Sequence, residues 1–367
     1  MDFIVLFLSL LIFLPLKTYA QDLPLHLLKH PPGFAVTIYA KPIQDARQMT
    51  LGSKDIVFVG SRKEGKVYAV IPDKNSKYGT RVLTLASGLT MPNGVAFYKG
   101  DLYVADVNRV LLFKQIESHL NNPPKPIIIN NALPSEDSHG WRFIRFGPDN
   151  KLYIGVGAPC NNCLKEDPRF ASIMRMNPDG SQLEIYAKGV RNTVGFDWSP
   201  SDHKLWFSDN GRDWLSDNTP PDELNYAPHS GMNFGFPYCH GKNVADPEFG
   251  HLHACHEFTA PELELPAHVA ALDVTFYTGR LFPSEYYGQL FISEHGSWNR
   301  KQKIGYQVIA VKLKNNKVTE VKPFIWGWLQ SDKVWGRPVA SLVLRDGSLL
   351  ISDDYANVIY RVNYAKK

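Results

Sequence analysis

Short runs of β-branched and aromatic residues recur along the chain, each preceded by a turn and ending in small or acidic residues. Alternation and turn chemistry of this kind predict short strands and hairpins. The clearest copy is residues 146–157, in which a Gly-Pro-Asp-Asn turn precedes the strand sequence LYIGV. The six predicted strands of this type are residues 56–60, 102–106, 152–156, 205–209, 290–294 and 349–353.

Six similar units at a regular spacing predict a repeat architecture. Successive strands begin about 46 to 59 residues apart, except for about 85 residues between the fourth and the fifth. Most of them precede another predicted strand, as in the antiparallel blades of a propeller. We therefore predict an all-β fold, a six-bladed β-propeller, whose fourth blade carries the largest insertion. A β-sandwich of this length would need two or more domains, and no Pro/Ser-rich linker divides the sequence.

Composition fits one large domain. The chain has 367 residues, of which 44% are hydrophobic, enough for the core of a single propeller over residues 21–367. The formal net charge of +4 includes no long basic run. Charge therefore supplies no argument for nucleic acid or an anionic membrane surface as a partner.

The first residues have the pattern of a secretory signal. Residues 3–16 form an apolar run that is short for a bilayer, and Ala20 offers a small residue before a cleavage point. We predict a signal peptide over residues 1–20, a periplasmic or secreted location, and no stable membrane insertion after cleavage. An uncleaved anchor remains an alternative, because the segment before the apolar run contains Asp2 and no Lys or Arg.

Four cysteines form two groups, Cys160 with Cys163 and Cys239 with Cys255. An even number of cysteines after a signal segment favours disulfides, with pairing inside each group. Zinc is the competing hypothesis. A zinc site is disfavoured because fifteen residues of a His-rich loop lie between Cys239 and Cys255, whereas two intervening residues would be expected.

Polar loops lie at equivalent blade edges, which converge at one end of a propeller axis. His139 precedes a strand of blade three and is the first candidate for a catalytic base, with His295 in blade five as the second. Several cationic or amide donors around one histidine indicate an anionic, planar or polyoxygenated ligand. These donors are Arg191, Asn192, Arg300 and Arg337.

Blade four holds the densest group of polar residues. Carboxylates, amides and glycine-exposed carbonyls in residues 189–192, 209–213, 221–225 and 231–237 are the oxygen ligands that a hard cation such as calcium requires. Acidic loops that cap one face of the propeller are an equally simple interpretation. In the first two blades, Arg47, Arg62 and Asp106 lie near strand ends and could face a central channel, but solvated loop charges are the preferred interpretation of each.

These motifs, taken as an ordered set, resemble the soluble glucose/sorbosone dehydrogenases that depend on pyrroloquinoline quinone (PQQ), and most of all the L-sorbosone dehydrogenase branch. The resemblance covers roughly residues 33–364. The matching segments are HG at 139–140, FGPD at 146–149, LY at 152–153, GVRN at 189–192 with Trp198, DNGRD at 209–213, DELN at 222–225, Gly231 with NFG at 233–235, EHGSWNR at 294–300 and GRP at 336–338.

The resemblance implies that PQQ binds on the propeller axis and that the enzyme passes electrons from a sugar to a separate, unidentified acceptor. His139 would be the general base that takes a proton from a sugar hydroxyl while hydride passes from the same carbon to the quinone. Arg191 would polarise the reactive quinone oxygen. Asn192, Arg300 and Arg337 would hold the carboxylates and carbonyls of the cofactor.

The resemblance also implies two calcium sites. The side chain of Asn210 and the carbonyls of Gly211 and Arg212 match a calcium that bridges the quinone and the protein. Glu223, with a carbonyl near Phe234, matches a second, structural calcium.

Three positions depart from the glucose-oxidising members. Ser138 stands in place of an aspartate, Arg212 in place of a proline, and Val339 in place of an arginine. These differences fit the sorbosone-like branch better than glucose oxidation. Two other function classes stay open: a calcium-dependent propeller hydrolase, such as a lactonase, and a non-catalytic propeller that binds glycans or proteins.

Overall fold

The computed structural model describes residues 23–365. In that range it contains β-strands, four short 3-10 helices and no α-helix, and none of these helices has the length and apolar character to cross a membrane. The 3-10 helices are Leu25–Leu27, Ile116–Ser118, Cys255–Glu257 and Ser284–Tyr286. The predicted signal peptide, residues 1–20, lies outside the described residues.

The strands form six four-stranded antiparallel sheets, which are the blades of a propeller. Strand β1 (Phe34–Ala40) comes first in the chain and belongs to the last blade. Blade 1 contains β2 (Met49–Leu51), β3 (Val57–Val59), β4 (Val67–Pro72) and β5 (Thr80–Ala86). Blade 2 contains β6 (Gly94–Tyr98), β7 (Asp101–Ala105), β8 (Val110–Phe113) and β9 (Ile127–Asn130), and blade 3 contains β10 (Ile144–Phe146), β11 (Leu152–Val156), β12 (Ser172–Met176) and β13 (Glu184–Lys188).

Blade 4 carries the longest insertion, between its third and fourth strands. The blade contains β14 (Phe196–Trp198), β15 (Leu205–Asp209), β16 (Asp222–Ala227) and β20 (Leu263–Leu265), and the insertion contains β17 (Met232–Asn233), β18 (Cys239–His240) and β19 (Val244–Ala245). Strand β17 adds a fifth strand to blade 3, parallel to β13. The predicted position of the largest insertion is therefore confirmed.

The last two blades complete the ring. Blade 5 contains β21 (Ala271–Phe276), β22 (Leu290–Glu294), β23 (Gln307–Lys314) and β24 (Lys317–Trp326), and a small hairpin follows it, β25 (Leu329–Gln330) with β26 (Lys333–Val334). Blade 6 contains β27 (Pro338–Val343), β28 (Leu349–Asp353), β29 (Val358–Tyr364) and β1. The predicted all-β, six-bladed propeller is confirmed, and each of the six predicted strands is the second strand of a blade.

The core consists of six hydrophobic clusters, one at each junction between consecutive blades. Successive side chains of a second strand point to opposite sides of the blade and so enter different clusters. In β15, for example, Leu205 and Phe207 pack against blade 3, whereas Trp206 packs against blade 5. Because both faces are buried, these strands are continuous apolar runs instead of alternating ones.

The ring is closed by strands that are far apart in sequence. Strand β1 pairs antiparallel with β29, from Phe34 opposite Tyr364 to Ala40 opposite Ile359.

Both disulfides form as predicted, Cys160 with Cys163 and Cys239 with Cys255. The first closes a loop directly after β11, and the second lies within the blade 4 insertion.

Candidate active site

A cavity of about 370 Å³ opens where the innermost strands of the blades begin. Its walls come from loops that precede innermost strands and from loops that follow second strands, so most blades contribute to it. The cavity is rich in cations and imidazoles. Those side chains are Arg47, Arg62, Arg191, Arg337, His139, His268 and His295.

His139 lies in this cavity, just before β10, with its proton position fixed by the backbone. Its Nδ1 lies 2.7 Å from the carbonyl oxygen of Ala158, which can only accept, so Nδ1 carries the proton and Nε2 carries the free electron pair. Burial, reinforced by the nearby Arg191 cation, lowers the pKa of His139 to about 3. The imidazole is therefore neutral at physiological pH and can accept a proton at Nε2.

Arg191 and Asn192 lie side by side in the loop between β13 and β14, and both line the cavity. Their backbone N–H groups donate to the Asp209 carboxylate at 2.8 and 2.6 Å, which anchors the loop to the end of β15. The Arg191 guanidinium donates from Nη1 to the Asn210 carbonyl at 3.1 Å. Burial lowers the pKa of Arg191, because the cation is removed from water.

A second group joins blades 5, 6 and 1 at the cavity wall. Asp354 accepts from His295 Nε2 at 2.8 Å and from Arg47 Nη1 at 2.8 Å. Arg337 donates to the carbonyls of His295 and Gly296 at 3.1 and 2.6 Å. Burial lowers the pKa of His295 to about 4, so this imidazole is also neutral at physiological pH.

Asn210 and Gly211, two of the predicted ligands of the cofactor calcium, line the cavity. Asn210 uses its amide NH₂ to donate to the carbonyls of Asn192 and Ala271, at 3.1 and 2.8 Å. Its Oδ1 therefore remains the part of the side chain that is available to a ligand. Arg212 is not among the lining residues, since its Nη1 pairs with Asp246 at 2.6 Å.

Glu223 is fully enclosed, away from the cavity. It accepts from the Gly241 N–H at 2.7 Å and from the Asn225 side chain at 2.9 Å, while Oδ1 of Asn225 is buried and bonds to no described residue. Burial raises the pKa of Glu223 to about 7. Burial also raises the pKa of Asp209, and the nearby negative charge of Glu223 raises it further. Phe234 is also buried, and its ring packs edge-on against Phe207.

Arg300 is the one predicted cofactor contact that the structure does not bring to the cavity wall. Its guanidinium donates to the carbonyls of Asp217 and Ala267 and to the side chain of Asn218. These bonds connect the loop after β15 with the loop before β21. Within residues 23–365, no group of three or more His, Cys, Asp or Glu side chains is arranged to hold a metal ion. The predicted calcium sites rely instead mainly on amide and carbonyl oxygens.

Sequence reasoning missed two of the cavity arginines. Arg47 is only 1% exposed and Arg62 lies with its guanidinium 4.8 Å above the ring of Trp141, so their interpretation as solvated loop charges is wrong. Asp106 instead pairs with Arg109 at 2.9 Å. The available signal was position, because Arg47 precedes the innermost strand of blade 1 as Arg337 precedes that of blade 6.

Comparison with known proteins identifies the family of this chain. The family model for glucose/sorbosone dehydrogenase matches residues 124–327, which is more than half of the chain. An uncharacterized protein of Borreliella burgdorferi is 38% identical over 355 residues, covering 92% of this chain and 91% of that protein.

Solved structures share the fold at low sequence identity. A Trichoderma reesei carbohydrate-active enzyme of family AA12 superposes with a TM-score of 0.81 at 20% identity, over 95% of this chain and all of that one. The holo form of the pyranose dehydrogenase PQQ domain from Coprinopsis cinerea gives 0.76 at 18% identity, over 92% of this chain and 97% of that one. The match to the family model, with the match to the Borreliella burgdorferi protein along almost the whole chain, shows that this protein belongs to the glucose/sorbosone dehydrogenase family.

Proposed function

We propose that this protein is a quinoprotein dehydrogenase that oxidises an aldose, sorbosone or a related sugar and uses PQQ and calcium as cofactors. The observation that carries the proposal is the cavity itself, whose wall contains four guanidinium groups and a neutral histidine with an Nε2 that is free to accept a proton.

The cavity fits an anionic, planar cofactor. Burial lowers the pKa of Arg62 and Arg337, and repulsion from Arg47 also lowers both, although Asp354 acts in the opposite direction on each. Negative charge from a ligand would therefore stabilise both cations. The indole N–H of Trp141 is buried at the same wall and donates to none of the described residues. A tricarboxylate with carbonyl oxygens would supply both the missing charge and the missing acceptor.

Within this proposal, bound PQQ supplies the hydride acceptor, and the protein supplies the proton acceptor and the positioning. His139 would take the proton of the sugar hydroxyl at Nε2, while the Ala158 carbonyl holds the opposite ring nitrogen in place. A base with a pKa of about 3 is weak. Burial is the main cause of that low pKa, and negative charge of a bound cofactor beside Arg191 would offset the smaller repulsion from this cation and so raise the pKa of His139.

Arg191 would stabilise negative charge on a quinone oxygen, because one N–H of Nη1 has no acceptor among the described residues. Asn192 and Arg337 would hold the carboxylates and carbonyls of the cofactor from two sides of the cavity. Arg300 would contribute indirectly, by holding together the loops before β21 and after β15.

The calcium proposals are supported by two amide oxygens, Oδ1 of Asn210 and Oδ1 of Asn225, that accept no hydrogen bond from the described residues. Oδ1 of Asn210, with the carbonyls of Gly211 and Arg212, would hold the calcium that bridges the cofactor. Glu223 and a carbonyl near Phe234 would hold the structural calcium. The buried Oδ1 of Asn225, unbonded among the described residues and next to Glu223, supports a cation there.

The two disulfides support a periplasmic or secreted location, where such bonds persist. Electrons would leave the reduced cofactor for an acceptor that is yet to be identified.

The test is to purify the protein without cofactor and to add calcium and PQQ separately and together. Reduction of an artificial dye is then followed across a panel of aldoses and sorbosone. We expect turnover only when both cofactors are present. Lactone hydrolysis with calcium alone would favour the hydrolase, and sugar binding without dye reduction would favour the binding module.

A second experiment assigns the base. His139→Ala should reduce turnover to background while leaving PQQ binding largely intact, because a base acts in the chemical step. His295→Ala should mainly weaken PQQ binding, since His295 supports Asp354 and through it Arg47. The reverse pattern would move the base to His295.

A further inference from the structure

The segment of residues 157–163, which follows β11, contacts both His139 and Arg191. Ala158 accepts from His139 Nδ1 and donates its own N–H to the Arg191 carbonyl, both at 2.7 Å. Three residues later, Asn161 reaches the Arg191 side chain. One short segment therefore bridges the proposed base and the proposed electrophilic arginine.

Asn161 accepts two of the four hydrogen bonds that the Arg191 guanidinium donates; Asn210 and Asp213 accept the other two. The Asn161 carbonyl accepts from Nε at 2.8 Å, and its side-chain Oδ1 accepts from Nη2 at 3.0 Å. These two acceptors occupy one edge of the planar guanidinium, which fixes both its position and its tilt.

The Asn161 side chain is itself held in place. Its Oδ1 also accepts from the Asp213 N–H at 2.7 Å, and its Nδ2 donates to the Asp213 carbonyl at 3.0 Å. The Cys160–Cys163 disulfide encloses Asn161 in a small covalent ring. The side chain therefore has little freedom to leave Arg191.

We propose that Asn161 is a positioning residue, which the disulfide-closed loop presents so that the Arg191 guanidinium is aligned before the cofactor binds. This inference rests on the proposed function, in which Arg191 acts on bound PQQ. An arginine that is already aligned loses less conformational freedom on binding and needs less rearrangement during the reaction.

Asn161→Ala tests the inference, and Asn162→Ala is the matched control. Asn162 is the same residue type in the same loop, and its buried side chain bonds to no described residue. For Asn161→Ala we expect about tenfold weaker PQQ binding and about tenfold lower kcat, from the loss of a hydrogen bond to a charged group, with an unchanged KM for sugar. Asn161→Asp retains the acceptor for Arg191 but replaces the N–H donor to the Asp213 carbonyl with an oxygen, so its PQQ affinity should fall between those of wild type and Asn161→Ala.

PQQ affinity is measured without turnover, by quenching of tryptophan fluorescence. The four proteins compared are wild type, Asn161→Ala, Arg191→Ala and the Asn161→Ala/Arg191→Ala double variant. If Asn161 acts through Arg191, Asn161→Ala should weaken binding no further once Arg191 is alanine. A full additional loss in that background would overturn the inference, as would wild-type affinity and kcat in Asn161→Ala.

Two further results separate the possible failures. Wild-type protein that binds no PQQ would overturn the proposed function, and this inference with it. If Asn161→Ala does not fold, the Cys160→Ser/Cys163→Ser variant releases the loop without removing the amide. It should weaken PQQ binding in the same direction, and unchanged affinity there would contradict the role of the closed loop.

Discussion

Gly157 should be intolerant of even one added methyl group, because it lies directly against the proposed base. A Cβ at this position would lie 2.5 Å from Cβ of His139, 2.9 Å from Oδ1 of Asn192 and 3.1 Å from the His139 carbonyl. Gly157 is not among the residues with positive φ, so alanine fits the backbone and the effect is purely steric.

The size of the effect follows from these distances. Ordinary contact begins at 3.4 Å, so the His139 Cβ would have to move by about 0.9 Å (3.4 minus 2.5). A shift of that size breaks the 2.7 Å bond between His139 Nδ1 and the Ala158 carbonyl. Misplacement by about 1 Å can cost about a hundredfold in rate. Overpacking at the same time should lower the free energy of unfolding by about 1–3 kcal/mol.

The assay is dye reduction with PQQ, calcium and the best sugar of the panel, alongside urea unfolding of the same preparations. Gly147→Ala is the matched control. Its Cβ would meet outer side-chain atoms of Tyr153, Asp149 and Trp198 at 2.7 to 2.9 Å, a crowded but more adaptable site at the opposite end of β10, and its φ is also not positive. It should lose stability but retain the kcat of the folded protein.

Turnover of Gly157→Ala at the wild-type rate would refute displacement of His139 by the added methyl group. Equal loss of turnover per folded molecule in Gly147→Ala would refute it as well, because the loss would then reflect general damage to blade 3.

Two other predictions concern pH and cofactor contacts. Because the folded-state pKa of His139 lies near 3 and the unfolded value near 6.5, the unfolded chain binds the proton first as pH falls, so stability is lost. Between pH 6.5 and pH 4.5, His139 should account for about 2–3 kcal/mol of the loss in the free energy of unfolding, measured with urea. In His139→Gln the free energy of unfolding should fall by that much less over the same pH range. The same pH dependence in both proteins would refute the shifted pKa. Separately, Arg337→Ala should weaken PQQ binding by at least about tenfold, and by more than Arg300→Ala, because Arg337 lines the cavity and Arg300 does not. Titration of each apo-protein with PQQ measures the two affinities. Equal losses of affinity would contradict this ranking.

The second strand of each blade was predictable because its two faces are both buried, which leaves a conspicuous apolar run. Strand β16 was not predicted as a strand, since its sequence begins with Asp222 and Glu223 and contains Asn225. These polar side chains are buried there because neighbouring N–H groups bond to them, as Gly211 does to Asp222 at 2.9 Å and Gly241 does to Glu223. Such partners come from distant loops and leave no local pattern.

The cavity was partly predictable for the same kind of reason. Arg191, Asn192 and Arg337 stand in motifs that are unusual at a strand entry, whereas Arg47 and Arg62 stand among ordinary loop residues. Their burial depends on how blades 6 and 1 meet, and in particular on the Arg47–Asp354 ion pair across that junction. A pairing between residues 307 positions apart is set by closure of the ring.

That same closure would also determine when the proposed cofactor site is complete during synthesis. Asp354 and the pairing of β1 with β29 come from the last part of blade 6, yet they secure Arg47 and His295 at the cavity wall. Five blades emerging from a ribosome or a translocation pore would therefore hold an incomplete cofactor site. If the protein binds PQQ as proposed, a chain interrupted before β29 would lack part of the cofactor site and would not bind the quinone.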